Sequence, residues 1–372
     1  MTNNLQEIEA AVLYEPGSPL VIESLELQPP CRDEVLVKIA TVGVCRSDLH
    51  LMTGDTRHPL PVVPGHEGAG IIEAVGPGVT AFSEGDHVTL NWAPACRDCF
   101  YCHCGRPNLC ETWTEPIWQG TMLDGTSRLS KSGKDVFHYC GLAAFAEHCV
   151  VPAAACVKMD PDIPFNVAAL IGCAVATGVG AVLNTARVPQ GSSVVVFGAG
   201  GVGLSILLAA RLVGAEQIIV VDRSTSMESE VIRFGATHFV QSGEGVVERI
   251  CELTAGRGGD YVFEAVGDPQ VQQQSFEATR PGGTVVLCGL SPMGSQTNLP
   301  GALITRQEKT ILGSYYGTTD AERDFPLYAR YYQEGRLDLG LLVSRSYELS
   351  EINQAFEDLK SGVGARGVIE FA

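Results

Sequence analysis

The sequence predicts an α/β protein in which a doubly wound parallel sheet is inserted near the end of a β-rich region. Three observations carry that prediction. First, SVVVFGAG (193–200) is a buried-strand run entering a glycine turn, and GVGLSILLAARLVGA (201–215) continues with helical periodicity. Second, the strand-like runs QIIVVD (217–222), DYVFEAVG (260–267) and GGTVVLCGL (282–290) share this region with the helical stretch VVERICELTA (246–255). Strands alternating with helices build parallel sheets. Third, the part before residue 160 has a different rhythm. EVLVKIATVG (34–43), GAGIIEAVG (68–76) and DHVTLNW (86–92) are short β-type runs broken by Gly, Pro and Asp, which read as an irregular, antiparallel region.

The alternation stops after about residue 316, and the tail closes with the helical EINQAFEDLKSG (351–362) and the strand-like RGVIEF (366–371). A chain of 372 residues is long for one domain. The expected division is 1–175 for the first domain, with a cysteine-rich lobe at about 92–112, then 176–316 for the inserted domain, and 317–372 returning to the first.

Composition narrows the function classes. The formal net charge of −18 repels phosphate backbones, which argues against a nucleic-acid partner. The start, MTNNLQEIEA, lacks a basic region followed by an apolar run and does not read as a secretory signal. The longest uncharged apolar stretch, about Ala168 to Leu183, falls short of a bilayer span. Thirteen cysteines without an export signal point to reduced thiols and metal ligation in a cytoplasmic protein.

Gly198, Gly200 and Gly203 form G-x-G-x-x-G between a strand and a helix, and Asp222 closes the next strand. In that context each residue has a task in holding a dinucleotide, the Rossmann arrangement. Gly198 permits the turn, Gly200 lets a pyrophosphate approach the backbone, and Gly203 lets helix and strand pack closely. Asp222 suits the ribose hydroxyls and repels a 2′-phosphate, so NAD is favoured over NADP. Arg223, next to it, could meet such a phosphate and is the one feature that weakens the preference.

Residues 96–110, CRDCFYCHCGRPNLC, place Cys96, Cys99, Cys102 and Cys110 as C-x2-C-x2-C-x7-C, with His103 and Cys104 spare. Four thiolates from one loop close a tetrahedron around Zn²⁺ and leave no position for a reactant, which makes a structural site. An iron–sulfur cluster is the rival reading of the first three cysteines, although the last spacing is long for it. Unligated core cysteines are the plain alternative. Cys45, His66 and Cys173 lie far apart, in VCRSDLH (44–50), PGHEGAG (64–70) and IGCAVATG (171–178). Two thiolates and an imidazole make up a Cys₂His catalytic zinc set with one open position. Spacing alone does not bring them together, and a lone buried cysteine is more often inert. Asp48 reads as the partner that orients His66.

With VCRSDLH, PGHEGAG, the four-cysteine lobe, GC followed by ATG, GAGGVG and Arg366, the chain resembles the zinc-dependent medium-chain alcohol dehydrogenases over essentially its full length. That resemblance implies a Rossmann-type sheet inserted into a β-rich GroES-like catalytic domain. It implies two zinc ions per subunit and NAD, with Cys45, His66 and Cys173 as catalytic zinc ligands and Glu67 as the acidic neighbour of the metal. It assigns Ser47 and His50 to a proton relay, Arg46 and Arg366 to the cofactor pyrophosphate, and Thr177 and Val202, beside Gly201, to the nicotinamide. Trp92, Tyr139 and Cys140 fall on the substrate wall, where aromatic side chains suit an apolar or aromatic alcohol.

The activity implied is hydride transfer between a primary alcohol and nicotinamide C4. The polyol branch has Glu where this chain has Cys173, and the zinc-free quinone reductases lack the ligands. The stretch of about thirty residues between Cys110 and Gly141, containing GTMLDGTSR (120–128), is that of the dimeric relatives and implies a homodimer. Thr114 stands where the glutathione-dependent formaldehyde branch carries an arginine, which argues against that substrate. The remaining alternatives are an NAD-retaining alcohol:acceptor oxidoreductase or aldehyde dismutase on the same fold and, outside enzymes, a zinc and nucleotide sensor.

Overall fold

The computed structural model describes residues 5–362 and 364–371; positions 1–4, 363 and 372 of the expected domains lie outside them. The chain divides into two compact units. One comprises the residues up to Cys173, Asp320–Gln333 and the residues from Val343 onward; the other comprises Ala174–Thr319 and Glu334–Leu342. The sequence reading put all of 317–372 in the first unit. The short turn Leu339–Leu342 instead packs on the helix Gly201–Leu212, through buried leucines that the 3.6-residue pattern did not flag.

The first unit is built on two sheets. In one, Gln6–Val12 pairs antiparallel with Val21–Leu27, followed by Leu129–Lys131, Lys134–His138 and Val62–Val63. In the other, Glu34–Gly43 is central, flanked by Glu67–Val75 and Arg366–Glu370 and also paired with His148–Pro152. The period-two alternation of EVLVKIATVG explains that central place. Val35, Val37 and Ile39 enter one apolar cluster with Leu49, Leu90 and Tyr139, while Leu36 faces a second cluster with Ile8, Leu25, Val63 and Val136.

The second unit holds six parallel strands in the order His238–Gln241, Gln217–Asp222, Ser193–Phe197, Gly259–Glu264, Thr279–Leu287 and Thr310–Gly313. Chain order reverses between Ser193–Phe197 and Gly259–Glu264, the switch point outside which open α/β sheets bind ligands. Val194, Val195, Val196 and Phe197 are all buried, as a strand covered on both faces requires.

The apolar stretch expected at about sixteen residues is a longer helix, Phe165–Ala186, of 22 residues. It is long and apolar enough to cross a bilayer, but 89 % of its apolar window is buried inside the fold, which makes it a core helix. Two π-helical turns interrupt it, Ile171–Val175 and Ala181–Ala186. The first carries Cys173, and π turns are frequent at functional positions.

Candidate metal centre and nucleotide site

The strand pairing of the first unit sets Gly43 opposite Glu67. A methyl group on Gly43 would lie 2.1 Å from Glu67 Oε2, so the glycine leaves the space that this carboxylate fills. Two residues on, Cys45 is the extended cap of the helix Arg46–Thr53, which Gly54 ends in the left-handed conformation. His66 immediately precedes the strand Glu67–Val75. Cys173 arrives from the π turn, which approaches closely because a methyl on Gly172 would be only 2.6 Å from the Leu90 carbonyl.

The ligand atoms of Cys45, His66, Glu67 and Cys173 all lie within 4.8 Å of one another, and all four residues are buried. Asp48, fully buried, accepts hydrogen bonds from the Gly65 amide at 2.9 Å and from His66 Nδ1 at 3.1 Å. With Nδ1 carrying the proton, Nε2 is the lone pair left for a metal. Burial lowers the pKa of His66, but Asp48 and the Cys45 thiolate outweigh it and hold the imidazole well above its usual value.

A hydrogen bond from Cys173 holds the Cys45 thiol well below its usual value despite burial, with Arg366 and His66 assisting, and Cys173 is pushed up in return. Glu67 is forked by Arg366, which donates from Nε to Oε2 at 3.1 Å and from Nη2 to Oε1. Burial still raises Glu67 to about 7, with Arg366 opposing it.

The donor set fits a divalent ion. Two thiolates balance its charge, the Glu67–Arg366 pair is close to neutral by itself, and binding would release the protons held on Cys173 and on the His66 imidazole.

Ser47 is half-buried, and its carbonyl accepts from the Tyr139 hydroxyl at 3.2 Å. His50 lies one turn along the same helix, with Nδ1 3.2 Å from Asp55. Arg46 is exposed at the helix start. The Tyr139 ring meets His66 edge-on at 5.7 Å, and the Cys140 thiol beside it is buried. Trp92 and Trp113 both pack in or against the same core cluster, and Trp118 is partly exposed.

Behind Tyr139 lies a group of residues that the sequence reading did not assign. Arg128, from GTMLDGTSR, forks on buried Glu34 at 2.9 and 2.6 Å and also meets Asp124. Its amide donates to His138 Nε2 at 3.1 Å. His58 packs edge-on to Tyr139 at 5.6 Å from the other direction. Glu34 and Arg128 are too far apart in the chain for any spacing rule to connect them.

The four lobe thiols also lie within 4.8 Å of one another; Cys96 and Cys102 are 4.0 Å apart, and Cys99 and Cys110 3.8 Å. Four sulfurs about 2.3 Å from a tetrahedral zinc would be separated by roughly 3.8 Å. An iron–sulfur cube would hold its thiolates farther apart than this, so the arrangement fits a single ion. The Cys99 and Asp98 amides donate to Cys96 Sγ at 3.2 and 3.4 Å, and the Cys96 amide to Cys110 Sγ at 3.3 Å. The Thr112 hydroxyl, with the Asp98 amide, holds the Cys96 thiol down at about 6. Cys104 is exposed and lies outside the set.

In the second unit, Gly200 caps the helix Gly201–Leu212, whose first turn contains Val202. A methyl on Gly203 would lie 1.8 Å from the Gly198 carbonyl, so packing demands glycine there, whereas one on Gly200 would meet nothing within 4 Å. Packing does not require glycine at Gly200, and the space beside it is open to the approach of a ligand. Asp222 accepts from the Ala199 amide at 2.8 Å and the Ser224 amide at 3.0 Å, while Arg223 is exposed. Thr177 is buried in the helical segment Ala176–Gly180.

Fold and site together define a nucleotide-linked oxidoreductase with a metal centre. Residues 31–161 match the alcohol dehydrogenase GroES-like domain, and 201–332 the zinc-binding dehydrogenase domain. The chain is 39 % identical over 364 residues to the NDMA-dependent alcohol dehydrogenase of Amycolatopsis methanolica, covering 97 % of this chain and 98 % of that one. It is 37 % identical over 371 residues to the S-(hydroxymethyl)glutathione dehydrogenase of Paracoccus denitrificans, with coverage of 97 % and 98 %. Among solved structures, the benzyl alcohol dehydrogenase of Acinetobacter calcoaceticus superposes with a TM-score of 0.93 at 34 % identity, covering 99 % of this chain and all of that one. The chain belongs to the zinc-dependent medium-chain alcohol dehydrogenase family, whose members are oxidoreductases using zinc and NAD(P).

Proposed function

We propose that the protein interconverts a primary alcohol, of aromatic or allylic type, and its aldehyde with NAD, using one catalytic and one structural zinc per subunit. The observation that carries the reading is the convergence of Cys45, His66 and Cys173 on one point, with Glu67 drawn onto Arg366. Three protein ligands leave one metal position for a reactant. When bound, zinc supplies a Lewis acid that makes an alcohol hydroxyl acidic near neutral pH, and the nicotinamide supplies the hydride acceptor.

The chain's own side chains do the rest. Asp48 fixes His66 as a neutral Nε2 donor to the metal. Ser47, at the start of the same helix as His50, accepts the substrate proton on its hydroxyl oxygen as it gives up its own hydroxyl proton toward His50. His50 then passes it to solvent, with Asp55 orienting its ring. Tyr139, braced against His66, forms an apolar wall that suits a flat substrate. Arg46 serves the pyrophosphate, joined by the edge of Arg366 that the fork on Glu67 leaves over. Thr177 and Val202 serve the nicotinamide. Asp222 sets the preference for NAD, with Arg223 exposed beside it. A homodimer paired along edge strands of the cofactor domain and a cytoplasmic address complete the reading.

Replacing Cys173 by Ser tests it. The expected result is loss of turnover and of about one of two zinc equivalents, with NADH binding retained. Full activity, or a wild-type protein holding a single zinc in the lobe, would refute the catalytic assignment.

The relative that is NDMA-dependent by name favours a second reading, in which NAD stays bound and an external acceptor reoxidises it. Cofactor that co-purifies, with turnover in the absence of added NAD, would select that reading. The glutathione-linked alternative is supported by the Paracoccus relative, but Thr114 is spent on the Cys110 carbonyl at 2.8 Å and offers no cation to a glutathione carboxylate.

A further inference from the structure

At the switch point of the parallel sheet, the strand Gly259–Glu264 ends in a buried carboxylate outside both metal centres. Glu264 Oε1 accepts hydrogen bonds from two successive amides, Val266 and Gly267, each at 2.7 Å. The turn they define is tightly held. Gly267 has a φ of +85°, and a methyl group on it would lie 2.2 Å from the Leu290 carbonyl. The Ala265 amide donates to the Phe197 carbonyl at 2.9 Å, which fastens the turn alongside the strand leading into the glycine motif.

The outcome concerns one side chain. Val266 Cγ2 would lie 2.8 Å from a methyl on Gly198, so its isopropyl group stands directly over the first glycine of the motif. It is nevertheless 43 % exposed. The side chain is thus held against the glycine turn while one side of it stays open to solvent.

We propose that Glu264 is a positioning residue for the dinucleotide. By fixing the amides of Val266 and Gly267, its carboxylate holds the Val266 side chain as an apolar wall beside the glycine turn. The inference rests on the dinucleotide reading of that turn and adds a residue acting on it from beneath. Burial raises the pKa of the Glu264 carboxyl, and the two amide donors oppose that cost. The expense of keeping an acid here is what a positioning role accounts for.

The experiment is titration of the zinc-loaded protein with NADH and with NADPH, followed by nicotinamide fluorescence, in wild type, Val266→Ala, Glu264→Ala, Glu264→Gln and the Glu264→Ala/Val266→Ala double variant. Glu264→Ala is expected to weaken NADH binding about tenfold, because two backbone donors lose their acceptor. Val266→Ala should weaken it several-fold, and the double variant should bind like Glu264→Ala alone, since both changes remove one wall. Glu264→Gln, whose amide oxygen can still accept both bonds, should stay within about threefold of wild type. An unchanged Kd in Val266→Ala overturns the proposal even if Glu264→Ala fails to fold, because the valine is exposed and its removal is structurally mild. Effects that multiply in the double variant also overturn it, since a merely structural acid would act independently of Val266. If wild type bound neither dinucleotide, the cofactor reading itself would fall, and this proposal with it.

Discussion

His138 makes the fold sensitive to acid. Its ring is fully buried, with Nε2 accepting from the Arg128 amide, and burial first, then the nearby Arg128 and His58, lowers its pKa to about 3. A histidine with a depressed folded pKa contributes stability that is fully present above its unfolded value of about 6.5 and is lost as pH falls, because the unfolded chain takes up the proton first. At pH 5, one and a half units below that value and still well above the folded one, the loss at this position is about 2 kcal/mol. Glutamine places an acceptor close to the same site and does not titrate. Unfolding free energies of wild type and His138→Gln, measured in urea at pH 7.5 and pH 5, should therefore converge by about 2 kcal/mol at the lower pH. All other titrating groups are common to both proteins and cancel in the comparison. A gap between the two that stays constant with pH would mean that His138 is accessible to protons in the folded state, and the account of the wall behind Tyr139 would fail.

Two further predictions concern the metals. Asp48→Ala removes the acceptor of both His66 Nδ1 and the Gly65 amide, and should lower zinc affinity at the buried site by about 10- to 100-fold in a competition with a chelator; Asp48→Asn, which keeps an acceptor oxygen, should lose less, and equal losses would assign the effect to charge alone. Cys99→Ser should abolish metal retention in the lobe and lower the thermal midpoint by several degrees while Cys45, His66 and Cys173 keep their ion; a variant as stable as wild type would mean that the lobe holds no structural metal.

What the sequence made legible was whatever depended on neighbours in the chain. The glycine turn, the acid ending the next strand and the cysteine lobe each occupy a single stretch, so spacing alone predicts their geometry. Helical periodicity likewise located the helices Val246–Leu253 and Ile352–Ser361. The clustering of Cys45, His66, Glu67 and Cys173 was legible only as three scattered motifs whose family pattern suggested a set, because their atoms come from a helix cap, a strand start and a π turn. That the Arg366 guanidinium lies forked on Glu67, across an antiparallel strand pair, was not legible, because the two residues are almost three hundred positions apart in the chain. The pair formed by Glu34 and Arg128 was invisible for the same reason. The core helix was underestimated because the apolar run was bounded near the polar Asn166 and Asn184, whereas the helix continues past both, from Phe165 to Ala186.

The two thiol clusters differ in a way that follows from how each is assembled. In the lobe, the four thiols come from one short loop whose own amides point at the sulfurs, so thiolate charge there is met in part by backbone donors. In the buried cluster, the Cys45 thiol is held down by its hydrogen bond with Cys173 and by the charges of Arg366 and His66. Charge there is met by side chains contributed by distant elements. The buried cluster is as closely gathered as the lobe, but no single loop closes around it. That makes the arrangement of strands, rather than local sequence, responsible for reactivity. Substitutions that loosen the pairing of Glu34–Gly43 with Glu67–Val75 should therefore reduce turnover before they affect lobe metal content.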